Sequence, residues 1–146
     1  MKRLRSERGA SVVEMAAVAT VLLTVLFGVI EVGRLILTYV TIAQAARAGA
    51  RYAVVHGALR TGTGVNGPSG AGNDPAQVVT VVTNITSAAG LTTGSILTPI
   101  VTYPNGSNTV GSVVTVTVRY PYTPTLVWFL PLAVTLSSTT QGTICY

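Results

Sequence analysis

The feature that most limits what this chain can become is an uncharged apolar run, Met15 to Ile30, that follows a short basic leader. The first nine residues read MKRLRSERG and carry four basic side chains, Lys2, Arg3, Arg5 and Arg8, against one acid. Ala10 to Ile30 is 21 residues, about 31 Å of helix at about 1.5 Å per residue. A bilayer's hydrocarbon core is about 30 Å thick, so the length suits a single span. The run is built from valine, leucine and alanine, with Gly28 and no proline, so nothing in it breaks a helix. Short basic flanks stay on the cytoplasmic side, which orients the expected span with its N-terminus inside. A cleaved secretory signal would have a shorter apolar core of about 7–15 residues. A plain anchor helix without processing is the other rival reading.

Glu14 is what plain anchoring does not explain. A charge deep in a bilayer costs roughly 2.5–3.5 kcal/mol on insertion scales, so this carboxylate needs a partner or a proton. Cleavage between Gly9 and Ala10 would create an α-amine with a reference pKa of about 7.7–8.0. Glu14 would then be the fifth residue, one helical turn from that amine, where a carboxylate also suits the helix dipole. In an assembly the amine of one subunit would instead meet Glu14 of its neighbour and set the axial register between them.

The run RGASVVEM, Arg8 to Met15, resembles the class III prepilin processing signal: a basic leader ending in glycine, a small residue, and glutamate at the fifth mature position. FGVIEVGRL, Phe27 to Leu35, and AARAGARYA, Ala45 to Ala53, are similar to the TadE-like proteins, components of the tight-adherence (Tad, or Flp) pilus system. VTVTVRYPYTP, Val114 to Pro124, is similar to the family's C-terminal Val/Thr-rich strand followed by Tyr-Pro. Met15 stands where the family usually has phenylalanine or tyrosine, and Thr20 where many relatives carry proline; Gly9 and Glu14 are both kept. The resemblance implies cleavage by a prepilin peptidase at Gly9–Ala10 and residence in the bacterial inner membrane, with the head extracytoplasmic or carried into a pilus. The implied partners are other pilus subunits and the inner-membrane assembly platform. Major pilins of this system are much shorter, so the added head points to a pseudopilin or minor pilin.

Beyond the span, Glu31 and Arg34 lie three apart and share a helix face. They form either a surface ion pair worth a few tenths of a kcal/mol or an interface contact between subunits. The helical pattern continues through an alanine-rich stretch to about Ala58, near 70 Å in all from Ala10. Small side chains there allow close helix approach. Arg47 and Arg51 sit one turn apart, read either as cations suited to the helix C-terminus or as partner contacts.

Residues 61–75, TGTGVNGPSGAGNDP, read as a flexible linker. They contain a literal GxGxxG at Gly62, Gly64 and Gly67, but it follows a helix, Pro68 comes next, and no acid follows Asp74. The dinucleotide reading needs the opposite context. Asp74-Pro75 reads as a helix start, Val78, Val79, Val82, Ile85 and Ala89 as its apolar stripe, and Gly90 as its stop. Ile96 to Tyr103 reads as a strand, with Pro99 marking an edge. Residues 104–108 read as a turn. Val113 to Tyr120 alternates strictly, and residues 133–143 suit a last strand. Trp128 and Phe129 form an apolar patch, either core or a contact with membrane or subunit.

The expected fold class is therefore α+β: a long transmembrane pilin-like helix, then a small head with one short helix packed on a three-stranded antiparallel sheet. The expected boundaries are a leader at 1–9, the helix at 10–58 (10–30 in the membrane), a linker at 59–75 and the head at 76–146. Charged residues make up only 9% of the chain, against about 25% in an ordinary soluble domain, which fits a membrane-linked or assembled protein. The net charge of +5 sits in the first 60 residues, and no basic patch interleaves with aromatics, so nucleic acid is not an expected partner. His56 is the sole histidine, Asp74 the sole acid beyond Glu31, and Cys145 the sole cysteine. No catalytic set, metal cluster, cofactor site or small-molecule substrate site follows from those parts. Cys145 is read as an unpaired thiol, with an intermolecular disulfide as the alternative. The competing functional reading is a membrane-tethered adhesion or binding module with a generic anchor.

Overall fold

The computed structural model describes residues 3–58, 76–91, 97–125 and 133–145. It contains two helices, α1 (Arg3–Val54) and α2 (Ala76–Ala88), and three strands, β1 (Leu97–Thr102), β2 (Val113–Tyr122) and β3 (Val134–Thr143). The chain divides into two compact units, Met1–Ile36 and Leu37–Tyr146, and α1 contributes to both. The expected linker at 59–75 and the Trp128–Phe129 patch lie outside the described residues.

In the first unit α1 begins at Arg3, so the described part of the basic leader runs helically into the apolar segment. Val12, Val13, Met15, Val18, Val21, Leu22, Val25 and Val29 are all exposed, and between them they point in every direction around the axis. An evenly apolar helix with no protein covering it suits lipid. Among the described residues one helix, Gly9–Val54, is long and apolar enough to cross a membrane, with a mean hydropathy of 2.3 in its most apolar window. The hydroxyls of Thr20 and Thr24 donate to the carbonyls of Ala16 and Thr20, each at 2.8 Å. They therefore bring no unmet hydrogen bond into an apolar medium, where each would cost several kcal/mol.

The second unit is built around β2. It is the middle strand of a sheet ordered β1-β2-β3, antiparallel throughout. β2 and β3 pair without a break from Val113↔Thr143 to Tyr122↔Val134, whereas the β1–β2 register shifts between Leu97 and Ile100. Pro99 falls inside that shift on an edge strand, where its missing N–H is tolerated. Pro121 lies beyond Leu97↔Arg119, the outermost described β1–β2 pair. The period of two in β2 buries Val114, Val116 and Val118 completely on one face, with Tyr122 nearly so. The same face of β3 carries Leu136, Ser138, Thr140 and Gly142, small apart from Leu136, which leaves room for a helix.

The second half of α1 occupies that room. Ile42, Ala45, Ala46 and Ala53 are completely buried and Ala50 nearly so. A Cβ built on Gly49 would stand 2.9 Å from Val82, 3.2 Å from Val78 and 3.3 Å from Val116. A side chain on α1 at this point would therefore have to push aside the valines of α2 and β2. On β3, a Cβ on Gly142 would lie 2.5 Å from Val54 Cγ2, so the end of α1 rests directly on strand backbone. The expectation that the long helix supplies the missing core face of the head is met in this unit.

The termini of the helices differ in detail from the sequence reading. α1 ends at Val54 rather than near Ala58, because outside donors and acceptors take over. The Cys145 amide donates to the Val54 carbonyl at 3.0 Å, and the Ala58 amide to Asn108 at 3.0 Å. α2 buries Val78, Val82 and Thr86, while Ala89 is exposed. Thr86 fits a buried position because its hydroxyl donates back to the Val82 and Thr83 carbonyls, at 3.0 and 3.1 Å. Gly90 stops the helix at φ 78°, with amide bonds from Gly90 to Ser87 and from Leu91 to Thr86. That pair of bonds is a Schellman cap, which needs a left-handed residue at this position.

Candidate functional site

The charges of the first unit bracket its apolar run. Met15 to Ile30 is 16 residues and rises only about 24 Å, less than the roughly 30 Å of a hydrocarbon core. A bilayer that covers this run therefore also meets a charge at one end or both. At one end Glu31 and Arg34 answer each other through a 3.3 Å ion pair, Arg34 half exposed and Glu31 one fifth exposed. At the other end Glu14 is exposed and has no ion-pair partner among the described residues. Gly9 and Ala10, the expected cleavage position, lie in α1 five and four residues before it; both are exposed, and nothing stands within 4 Å of a Cβ built on Gly9. Arg3, Arg5 and Arg8 lie on the first turns of α1, while Lys2 falls outside the described residues.

In the second unit a groove that sequence reasoning did not find runs along α1 and α2. Gln44, Arg47, Ala48, Arg51, Tyr52, Val55 and Val81 line it. Tyr52 is fixed from two sides: its hydroxyl donates to the Gln77 side chain on α2, and its ring stacks on His56 at 3.8 Å. The His56 ring is itself tied to the Tyr52 carbonyl through Nδ1 at 2.8 Å. The signal was present in outline, since Arg47 and Arg51 share a face, as do Gln77 and Val81. What was missing was which faces of the two helices meet.

Along α1 follow small residues at 9–10, a glutamate one turn on, an apolar run, an acid–arginine pair, and an alanine- and glycine-rich packing face. Residues 9–51 match the family of TadE-like proteins. No characterised protein and no solved structure matches the chain. The TadE-like segment contains Gly9, Ala10, Glu14, Glu31, Arg34, Arg47 and Arg51. It also contains Gly49, so its last turns are the packing face that α2 and β2 close on. Tyr52, Val55 and Val81, which complete the groove, lie outside the TadE-like segment.

Proposed function

We propose that the chain is a non-catalytic pseudopilin or minor pilin that serves assembly of a Tad-type pilus. In this reading α1 is held in the inner membrane, the leader is removed at Gly9–Ala10, and the second unit is extracytoplasmic. The observation that carries the reading is Glu14, a carboxylate at the edge of a lipid-suited helix with no ion-pair partner among the described residues. Stranding it there costs roughly 2.5–3.5 kcal/mol on insertion scales. An amine supplied by cleavage, or by a neighbouring subunit, removes that cost. The match of residues 9–51 to TadE-like proteins supports the same assignment.

Glu14→Ala tests the docking role. The variant inserts into the membrane as the natural chain does, because it removes a charge from an apolar helix, but pilus assembly drops. Membrane fractionation with a pilus count gives both readings from one culture. Pili at the natural level in Glu14→Ala, with a Gly9 variant equally piliated, would favour a tethered binding module with a generic anchor.

A further inference from the structure

The groove between the second half of α1 and α2 is open, with a volume of about 620 Å³. Arg47 and Arg51 are on its rim, both exposed. They sit one helical turn apart, a rise of about 6 Å. Neither has an ion pair among the described residues. The floor between them is apolar: Ala48, the Tyr52 ring, Val55 and Val81. Helix-dipole stabilisation does not account for the pair, because that effect fades within the last turn and Arg47 lies seven residues before the helix end at Val54.

We propose that this groove docks a segment of a different protein in which two carboxylates, one helical turn apart, flank an apolar side chain. Charge selects the occupant's sign, and the floor selects its middle. From Leu37 onward the chain has four arginines and a single acid, Asp74, so this unit offers little with which to answer its own cations. A second copy is a poor source of the acids, because no two of its four, Glu7, Glu14, Glu31 and Asp74, lie one helical turn apart, and its Glu31 is engaged with Arg34. Arginine is also the residue suited to two-pronged contact with carboxylates. The Tyr52 ring is already fixed by Gln77 and His56, so docking does not have to order it. The inference stands on the geometry of the second unit and does not depend on leader cleavage or on the pilus reading.

The test uses the full chain in phosphatidylcholine nanodiscs. The probe is a labelled helical peptide with glutamates one turn apart on either side of a leucine, with a glutamine twin as comparison. Anisotropy should show the glutamate peptide binding at least about tenfold more tightly at low salt, with the advantage lost as salt screens the pairs. The double variant Arg47→Gln/Arg51→Gln should bind both peptides equally while its circular dichroism is unchanged. Val81→Asp, which sets a carboxylate at the groove floor, should expel the glutamate peptide and provides a second route if the arginine variant misfolds. Equal affinity of the two peptides for the natural chain, or undiminished binding by the arginine variant, overturns the proposal. So does protection of both arginines from phenylglyoxal in peptide-free phosphatidylglycerol discs but not in phosphatidylcholine discs, which assigns the groove to lipid. Pairing of two copies per disc that depends on these arginines overturns it in favour of self-association.

Discussion

Gly49→Ala sets helix propensity against packing, and packing should win. Alanine is the better helix former by about 1 kcal/mol. Its methyl, however, would stand 2.9 Å from Val82 Cγ2, 3.2 Å from Val78 Cγ1 and 3.3 Å from Val116 Cγ1, where carbon atoms settle at about 3.5–4.0 Å. The three valines have no exposed surface to swing into, and β-branched side chains in a helix are confined at χ1. Adding a methyl to such a site costs about 1–3 kcal/mol. The net expectation is a loss of about 1 kcal/mol once the propensity gain is subtracted. Val82→Ala alone should cost about 2 kcal/mol by leaving a cavity. In the double variant the new methyl takes up part of the vacated space, so the combined loss should fall short of the sum by about 1 kcal/mol. Hydrogen exchange of the α2 and β2 amides in the purified full chain reads all three. A loss of about 1–2 kcal/mol raises exchange about 5–30-fold. Gly33→Ala is the control, because nothing stands within 4 Å of a Cβ at that position. Slower exchange in Gly49→Ala, or additivity within about 0.5 kcal/mol, would refute the reasoning.

Gly142→Ala should loosen the end of α1 by about 2 kcal/mol, because its Cβ would meet Val54 Cγ2 at 2.5 Å. Faster exchange at the Cys145 amide, which is bonded to the Val54 carbonyl, reports it, and Val54→Ala in the same chain should reverse most of the effect. Tyr103 gives a pH prediction: burial raises its phenol above the ordinary value, and its hydroxyl has no partner among the described residues. The folded chain then holds this proton where the unfolded chain releases it. The Tyr103 contribution is complete below about pH 10 and is lost as pH rises through the folded value. Tyr103→Phe should flatten that alkaline loss in a denaturation series while leaving neutral-pH stability unchanged or up to about 1 kcal/mol higher; an unaltered alkaline slope would contradict the burial argument.

Much of the fold was legible because its signals are local. The uncharged run from Met15 to Ile30 fixed an apolar helix by length alone, and the strict alternation of Val114, Val116 and Val118 fixed a half-buried strand. Pro99 marked an edge and Gly90 a stop, and both stand where their backbone constraints put them. Glu31 and Arg34 were legible as a pair for the same reason, since a spacing of three on a helix is a distance. Long-range relations were not readable in this way. The alanines from Ala45 to Ala53 announced a close-packed face without saying what lies against it. That Gly49 meets Val82 and Val116, and that Gly142 meets Val54, depends on tertiary approach. Thr86 entered the buried stripe of α2 because its hydroxyl finds carbonyls within its own helix, which a hydropathy pattern does not register. The groove beside Arg47 and Arg51 was hidden for the same reason: each wall is a plain helix face, and only their meeting makes a site.

The central claim is that α1 serves as a processed pilin anchor, and intact-mass analysis of the protein purified from its own membrane tests it most directly. The account predicts a mature chain that begins at Ala10 and lacks Met1 to Gly9. A membrane-resident chain that still carries those residues would contradict it, leaving a tethered protein whose Glu14 must find its partner elsewhere.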